Sequence, residues 1–214
     1  MNKRIVFLPL LAIITLACVI SSPEIQGIVP GSVLFKDKFD NPKSGWDRRN
    51  EERFVTDYEN GIYRIKVDDT NLDVWSNPGF IFSNVIIEVD ATKAGGNDDN
   101  NFGVICRYDQ GRQRFYFFVI TSDGFYAIGK VVENQQILLR EDVMQPSVAI
   151  RQGYAINHIR VECVGDHLSL YVNDQNVADV WDDDFERGDV GLIAGSFDHA
   201  GIDIYFDNFV VRKP

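Results

Sequence analysis

"IDIYFDNFVV", Ile202 to Val211, is the stretch on which the fold turns. As far as Phe206 it alternates as a half-buried strand does, with Ile202, Ile204 and Phe206 on one side and Asp203 and Tyr205 on the other. Asp207 and Asn208 then stand together between Phe206 and Phe209 and interrupt that alternation. The same two-residue period recurs through most of the chain, so the meaning of the interruption depends on what the other strands do.

From Val33 onward helical periodicity is almost absent, and short alternating runs are divided by Gly, Asn and Asp. This is the pattern of an all-β sandwich of antiparallel strands. The expected strands are Val33–Phe39, Gly61–Val67, Phe80–Thr92, Asn101–Tyr108, Arg114–Thr121, Phe125–Val132, Ile156–Val164, His167–Val172, Gln175–Val180, Val190–Ser196 and Ile202–Val211. Turn signals join several of them: Asn60–Gly61, Asp123–Gly124, Gly165–Asp166 and Asn173–Asp174. With 214 residues, 45% of them hydrophobic, the chain is long enough to bury one sizeable core. No internal repeat or low-complexity segment divides it.

The N-terminus has its own logic. Lys3 and Arg4 precede an apolar run, Ile5 to Ala17, that is short for a membrane span and reads as a signal peptide. The run ends "TLAC", which resembles the bacterial lipobox although Thr15 holds the place usually taken by Leu. Cleavage and lipidation at Cys18 are expected, with ordinary secretory cleavage near Ser21 or an uncleaved anchor as the alternatives. Residues 1–17 then form a lipoprotein-type signal, 18–32 a Ser/Pro/Gly-containing tether, and 33–214 the sandwich. An exported domain held at the cell surface or periplasmic face by its lipid anchor follows. Losing residues 1–17 moves the formal charge from −11 to −13, which disfavours nucleic acid and any membrane contact beyond the anchor. The two remaining cysteines, Cys106 and Cys163, fall on inward-facing positions of their strands and are expected to form a disulfide in an oxidising compartment.

Four stretches, "NNFGVICRY", "RFYFFVITSDGFYAIGK", "NHIRVECVGDHLSLYVND" and "GDVGLIAGSFDHAGIDIYFDNFVV", together resemble the concanavalin A-like lectin/glucanase superfamily, in particular laminin G-like or 3-keto-disaccharide-hydrolase-like domains of bacterial exported proteins. The resemblance implies a two-sheet jelly roll whose first and last strands are neighbours. In such a fold the Asp207–Asn208 pair would sit where the last strand passes the "FKDKFDN" strand, as a β-bulge bonding that strand's backbone. An alternative is a calcium site shared by Asp40 and Asp207, calcium being the one cofactor this sequence suggests.

Glucanases of the superfamily carry a Glu-x-Asp-x-(x)-Glu strand, and Glu88 and Asp90 in "VIIEVDATK" match its first two positions. Two residues apart on a strand, they would point to one face with α-carbons about 6.6 Å apart, near the carboxyl spacing of about 5–5.5 Å used by retaining glycosidases. Thr92 and Lys93 stand where the proton donor should be, so catalysis is disfavoured. His158, His167 and His199 lack the spacing of a zinc motif, and the acidic loop Gly95–Asn101 lacks that of a calcium loop.

A non-catalytic surface is the better expectation. With Phe115, Phe117 and Val119 turned inward, Arg114, Tyr116 and Phe118 would share the opposite face with Arg107, beside Glu88 and Asp90. Aromatic planes, guanidinium donors and carboxylates together suit a saccharide. The other reading buries Tyr116 and Phe118 under a loop as a second small core, and Trp46, Trp75 and Trp181 read as core lids. The sequence thus points to a cell-surface binding module for a saccharide or a surface protein, through Glu88, Asp90, Arg107, Arg114 and Tyr116. A hydrolase acting on a modified sugar and a purely structural surface lipoprotein are the alternatives.

Overall fold

The computed structural model describes residues 29–214. The signal peptide, Cys18 and most of the tether therefore lie outside the described residues. Among these there is no helix, and the strands form two antiparallel sheets packed face to face.

The first sheet runs, from edge to edge, β14 (Gln175–Trp181), β13 (His167–Val172), β12 (Asn157–Val164), β6 (Val85–Gly95), β16 (Ile202–Arg212), β4 (Ile62–Val67), β3 (Phe54–Glu59) and β2 (Arg49–Asn50), with β1 (Val33–Asp37) also paired to β16. The second runs β10 (Gln135–Leu138), β9 (Phe125–Val132), β8 (Arg114–Ile120), β7 (Asn100–Asp109), β15 (Asp189–Ser196) and β5 (Leu72–Ser76), with β11 (Gln145–Pro146) also on β9. This is the concanavalin A-like jelly roll that the sequence led us to expect. At the β3–β4 hairpin Asn60 and Gly61 both take positive φ, 51° and 82°, as a two-residue turn matching the strand twist requires.

The polar pair in β16 is a bulge. Asp207 pairs with Asp90 of β6, but Val210 pairs with Glu88, so one extra residue is absorbed between them. Asn208 adopts φ +55°. The extra residue restores the alternation, and Ile202, Ile204, Phe206, Phe209 and Val211 all lie buried. The bulge also marks where β16 changes partners: it pairs with β4 up to Phe206 and with β1 from Phe209. The expected bond to the β1 backbone is replaced by bonds nearer at hand, since Asn208 Nδ2 donates to Asp90 Oδ2 at 2.9 Å and its own N–H donates to Asp207 Oδ1 at 2.6 Å.

Where β1 leaves the sheet, aromatic rings fill the gap. Asp37 accepts bonds from the Phe39 N–H at 2.8 Å and from Trp46 Nε1 at 3.0 Å, turning the chain so that Phe39 and Trp46 pack on Tyr63, with Trp46 edge-on to Phe209 at 4.9 Å. Trp46 is thus the lid expected, whereas Trp75 is half-buried and Trp181, 67% exposed, stacks on His167 at the sheet edge.

The main core lies between the sheets and includes Phe102, Val104 and Cys106 of β7, Tyr116, Phe118 and Ile120 of β8, and Ile159, Val161 and Cys163 of β12. Cys106 and Cys163 form the expected disulfide, joining the two sheets with α-carbons 6.9 Å apart. A second, smaller core covers the other side of the second sheet, built from Ile105, Phe115, Phe117, Val119 and Ile193 with Leu138 and Met144 over them. The expected assignment of β8 is therefore inverted: Tyr116 and Phe118 face the main core, and Phe115, Phe117 and Val119 face away from it. The second sheet curls enough that Gln136 of β10 hydrogen-bonds Asp73 of β5, linking its two outermost strands across the concave side.

Other departures are local. The strand expected from Phe80 begins at Val85, because the N–H groups of Gly79 and Phe80 bond the Asp189 carboxylate instead of a neighbouring strand. The strands β3 and β5, with polar residues on both faces, were not anticipated.

Candidate functional site

Glu88 and Asp90 lie on the outer face of the first sheet, where β6 alternates buried Val85, Ile87 and Val89 with partly exposed Ile86, Glu88 and Asp90. Each is already partnered. Arg212 Nε bonds Glu88 at 3.0 Å, while Asp90 bonds His158 Nδ1 at 2.8 Å and Asn208. The same face carries further pairs, Arg64 with Asp203 and Glu59, and Arg160 with Glu162. A face of mutually satisfied charges is a solvated surface, and no third carboxylate completes the glucanase-type arrangement at Thr92 or Lys93. Lys93 is instead buried, bonded to Asp98 and lying 4.4 Å from the centre of the Tyr154 ring.

Arg107 and Tyr116 lie elsewhere and are buried. A bulge after Cys106 gives Arg107 φ +56° and carries its guanidinium inward. There it is 3% exposed and donates to the carbonyls of Phe185 at 2.6 Å, Gly165 at 2.8 Å and Ser83 at 3.3 Å. Burial holds its pKa below the usual value. Tyr116 is 0% exposed; its hydroxyl donates to Asp182 Oδ1 at 2.5 Å and accepts from the Phe185 N–H at 3.1 Å. Burial pushes that phenol strongly up, so it remains a neutral donor. Lys130 grips Asp182 and Asp184 from β9. The five residues expected to share a face therefore do not. Two are on the outer first sheet, and two clamp the loop between β14 and β15.

Arg114 is the exception, and it marks a cleft. Beneath the clamped loop, at the end of the sandwich, a cavity of about 770 Å³ is lined by Arg114, Tyr108, Asp109, Asp47, Glu186 and Asp189, with Ile81 at its side. The Arg114 guanidinium lies 4.9 Å from the centre of the Phe185 ring; its Nε is buried without a hydrogen bond, and Asp109 Oδ2 is 3.5 Å away. Asp189 binds the backbone N–H groups of Gly79, Phe80 and Val190, which pull its pKa down, yet burial outweighs them and pushes it up to about 6. With its oxygens so engaged, Asp189 shapes the cleft wall. The cleft thus offers carboxylate acceptors, the partly exposed Arg114 guanidinium and an aromatic ring: a suitable set for a hydroxyl-rich ligand.

Sequence reasoning missed the loop that roofs this cleft. The signal was the run "DDDFERGD", Asp182 to Asp189, with five acidic residues in eight between two strands. Sequence also suggested Asp40 and Asp207 for calcium. Among the described residues no three potential ligands cluster, so this pair belongs to no such group, and Asp207 faces Asp90 across the bulge.

No protein-family model and no curated protein matches the sequence. Solved structures do resemble the fold. The carbohydrate-binding module CBM66 from Bacillus subtilis superposes with a TM-score of 0.64 at 19% identity, over 79% of this chain and 96% of its own. A protein of unknown function with a galectin-like fold, also from Bacillus subtilis, gives 0.62 at 9% identity over 86% and 97%. The catalytic domain of an endo-1,3-β-glucanase (laminarinase) from Thermotoga petrophila gives 0.57 at 11% identity over 86% and 99%. At these identities the likeness establishes the fold.

Proposed function

We propose that this domain is a non-catalytic module that binds a saccharide, or a glycosylated partner, in the cleft beside Arg114. The observation that carries the reading is that cleft, about 770 Å³ and mostly polar, with the partly exposed Arg114 guanidinium set among carboxylates and a tyrosine ring. Sugar hydroxyls donate to carboxylates and accept from a guanidinium, and the Tyr108 ring can cover a C–H face. The resemblance to a carbohydrate-binding module and to glycan-acting enzymes supports a saccharide ligand. Glu88 and Asp90 lie outside the cleft, bonded to their own partners Arg212, His158 and Asn208, which supports binding without hydrolysis.

The cellular context follows from the same reading. The inter-sheet disulfide suits an exported protein, and a lipid anchor at Cys18 would hold the cleft near the cell surface. No cofactor takes part in this reading. The test is a glycan array probed with the full chain, with and without calcium, alongside Arg114→Ala. The expected result is a calcium-independent hit that Arg114→Ala weakens about tenfold or more, the loss of a charge-assisted bond. A hit unaffected by Arg114→Ala removes the cleft assignment, and turnover lost in Glu88→Gln would make the protein an enzyme. One observation favours a second reading, a structural surface protein: the concave side of the second sheet is filled by its own side chains. A blank array selects that reading.

A further inference from the structure

The concave side of the second sheet is filled except at one end. There a pocket of about 240 Å³ remains between Phe117, Val119, Ile193, Leu138 and Met144, with Asp73, Asn101 and Gln136 at its polar end. Asp73 reaches this position because residue 195 is glycine: a Cβ there would fall 1.7 Å from Asp73 Oδ1. The carboxylate accepts from Asn101 Nδ2 at 2.8 Å and from Gln136 Nε2. Both partners are neutral amides. No Lys, Arg or His of the described residues forms an ion pair with it, in contrast to Glu88, Asp182 and Asp203.

A half-buried carboxylate at the end of an apolar pocket, bonded only by neutral groups, lacks the countercharge that burial ordinarily calls for. Burial accordingly pushes the Asp73 carboxyl up. The missing countercharge and the apolar walls together specify a complementary molecule. We propose that this pocket binds a small compound carrying a protonated amine on an apolar body, the ammonium bonding Asp73 and the body lying between Phe117, Leu138 and Met144. The volume limits the body to roughly one ring or a short branched chain. The exposed Gln136 stands at the pocket's rim, where its amide can shift as the ammonium arrives. The site is separate from the cleft, since no residue lines both.

The probes are 2-phenylethylamine and its neutral counterpart 2-phenylethanol, titrated into the full chain near neutral pH by calorimetry and followed through the side-chain amide resonances of Asn101 and Gln136. The amine is expected to bind about tenfold more tightly than the alcohol, as replacing a charge-assisted bond with a neutral one implies, and to shift both amides. In Asp73→Asn the preference should vanish while the melting temperature shows the variant folded. Equal affinities for the two probes in the parent overturn the proposal, as do a preference that survives in folded Asp73→Asn or the absence of amine binding at millimolar concentration. Should Asp73→Asn fail to fold, the probe ratio and amide shifts in the parent decide alone. Loss of glycan binding in Arg114→Ala with the amine preference retained would show the two sites to be independent.

Discussion

The outer faces of the two sheets are built by opposite rules. On the first sheet, β6 and β12 bury one side, and the other side, Ile86 and Val164 apart, is a field of paired polar groups: Glu88 with Arg212, Asp90 with His158, Arg160 with Glu162. On the second sheet, β7 and β8 are buried on both sides, against the main core and against the smaller core on the concave side. The contrast shows that only one sheet has a solvent face free to be read as surface. Cavities are accordingly found where the strands end, beside Arg114, and where the concave packing leaves a gap, at Asp73.

The comparison can be broken at several levels. The inter-sheet disulfide closes a loop between residues 57 apart in sequence, and replacing Cys106 and Cys163 by alanine should lower stability in urea by about 4 kcal/mol on chain-entropy grounds. A loss well under about 2 kcal/mol would mean that the sheets are held by their cores alone. Phe117→Ala, on the concave side, should cost about 3 kcal/mol as a core truncation; a midpoint unchanged from the parent would show that this side is no core. Tyr116→Phe leaves the ring in place but removes the hydroxyl that serves Asp182 and the Phe185 N–H, for an expected loss of about 1–2 kcal/mol and faster proteolysis of the 182–188 loop. Equal protease resistance would remove Tyr116 as the loop's clamp. On the charged face, Glu88→Gln should change stability by under about 1 kcal/mol, because a partly exposed ion pair is screened by water. A cost equal to that of Phe117→Ala would erase the distinction between the two faces.

The same contrast explains what sequence could and could not reveal. In "VIIEVDATK" one face is apolar and one polar, so alternation alone placed Glu88 and Asp90 correctly on a shared face. In "RFYFFVI" both faces are apolar, and a period of two cannot say which set faces the main core. Tyr116 and Phe118 were consequently turned outward, and Tyr116 was taken for a platform when it is wholly buried. The disulfide was legible because Cys106 and Cys163 each sit in a strand whose parity is plain. Arg107 was misplaced for a different reason: the bulge after Cys106 resets the alternation, and no proline, glycine or polar pair announces it. The cleft itself was invisible because its walls come from distant segments near residues 45, 80, 110 and 185, which only the folded sheets bring together.

The central place of β16 has a consequence in time as well as in space. Because this strand pairs with β1, β4 and β6, the centre of the first sheet is missing until β16 is available. During vectorial synthesis β4 and β6 have no shared neighbour, and β1 has no partner at all, while the 164 residues between β1 and β16 emerge. Such a topology makes the final contacts long-range and therefore slow to form. Cooperative closure is deferred to a segment that works like the last tooth of a zipper, and the growing chain remains pliable until Asp207 and Asn208 pass the midpoint where one neighbour hands over to the other.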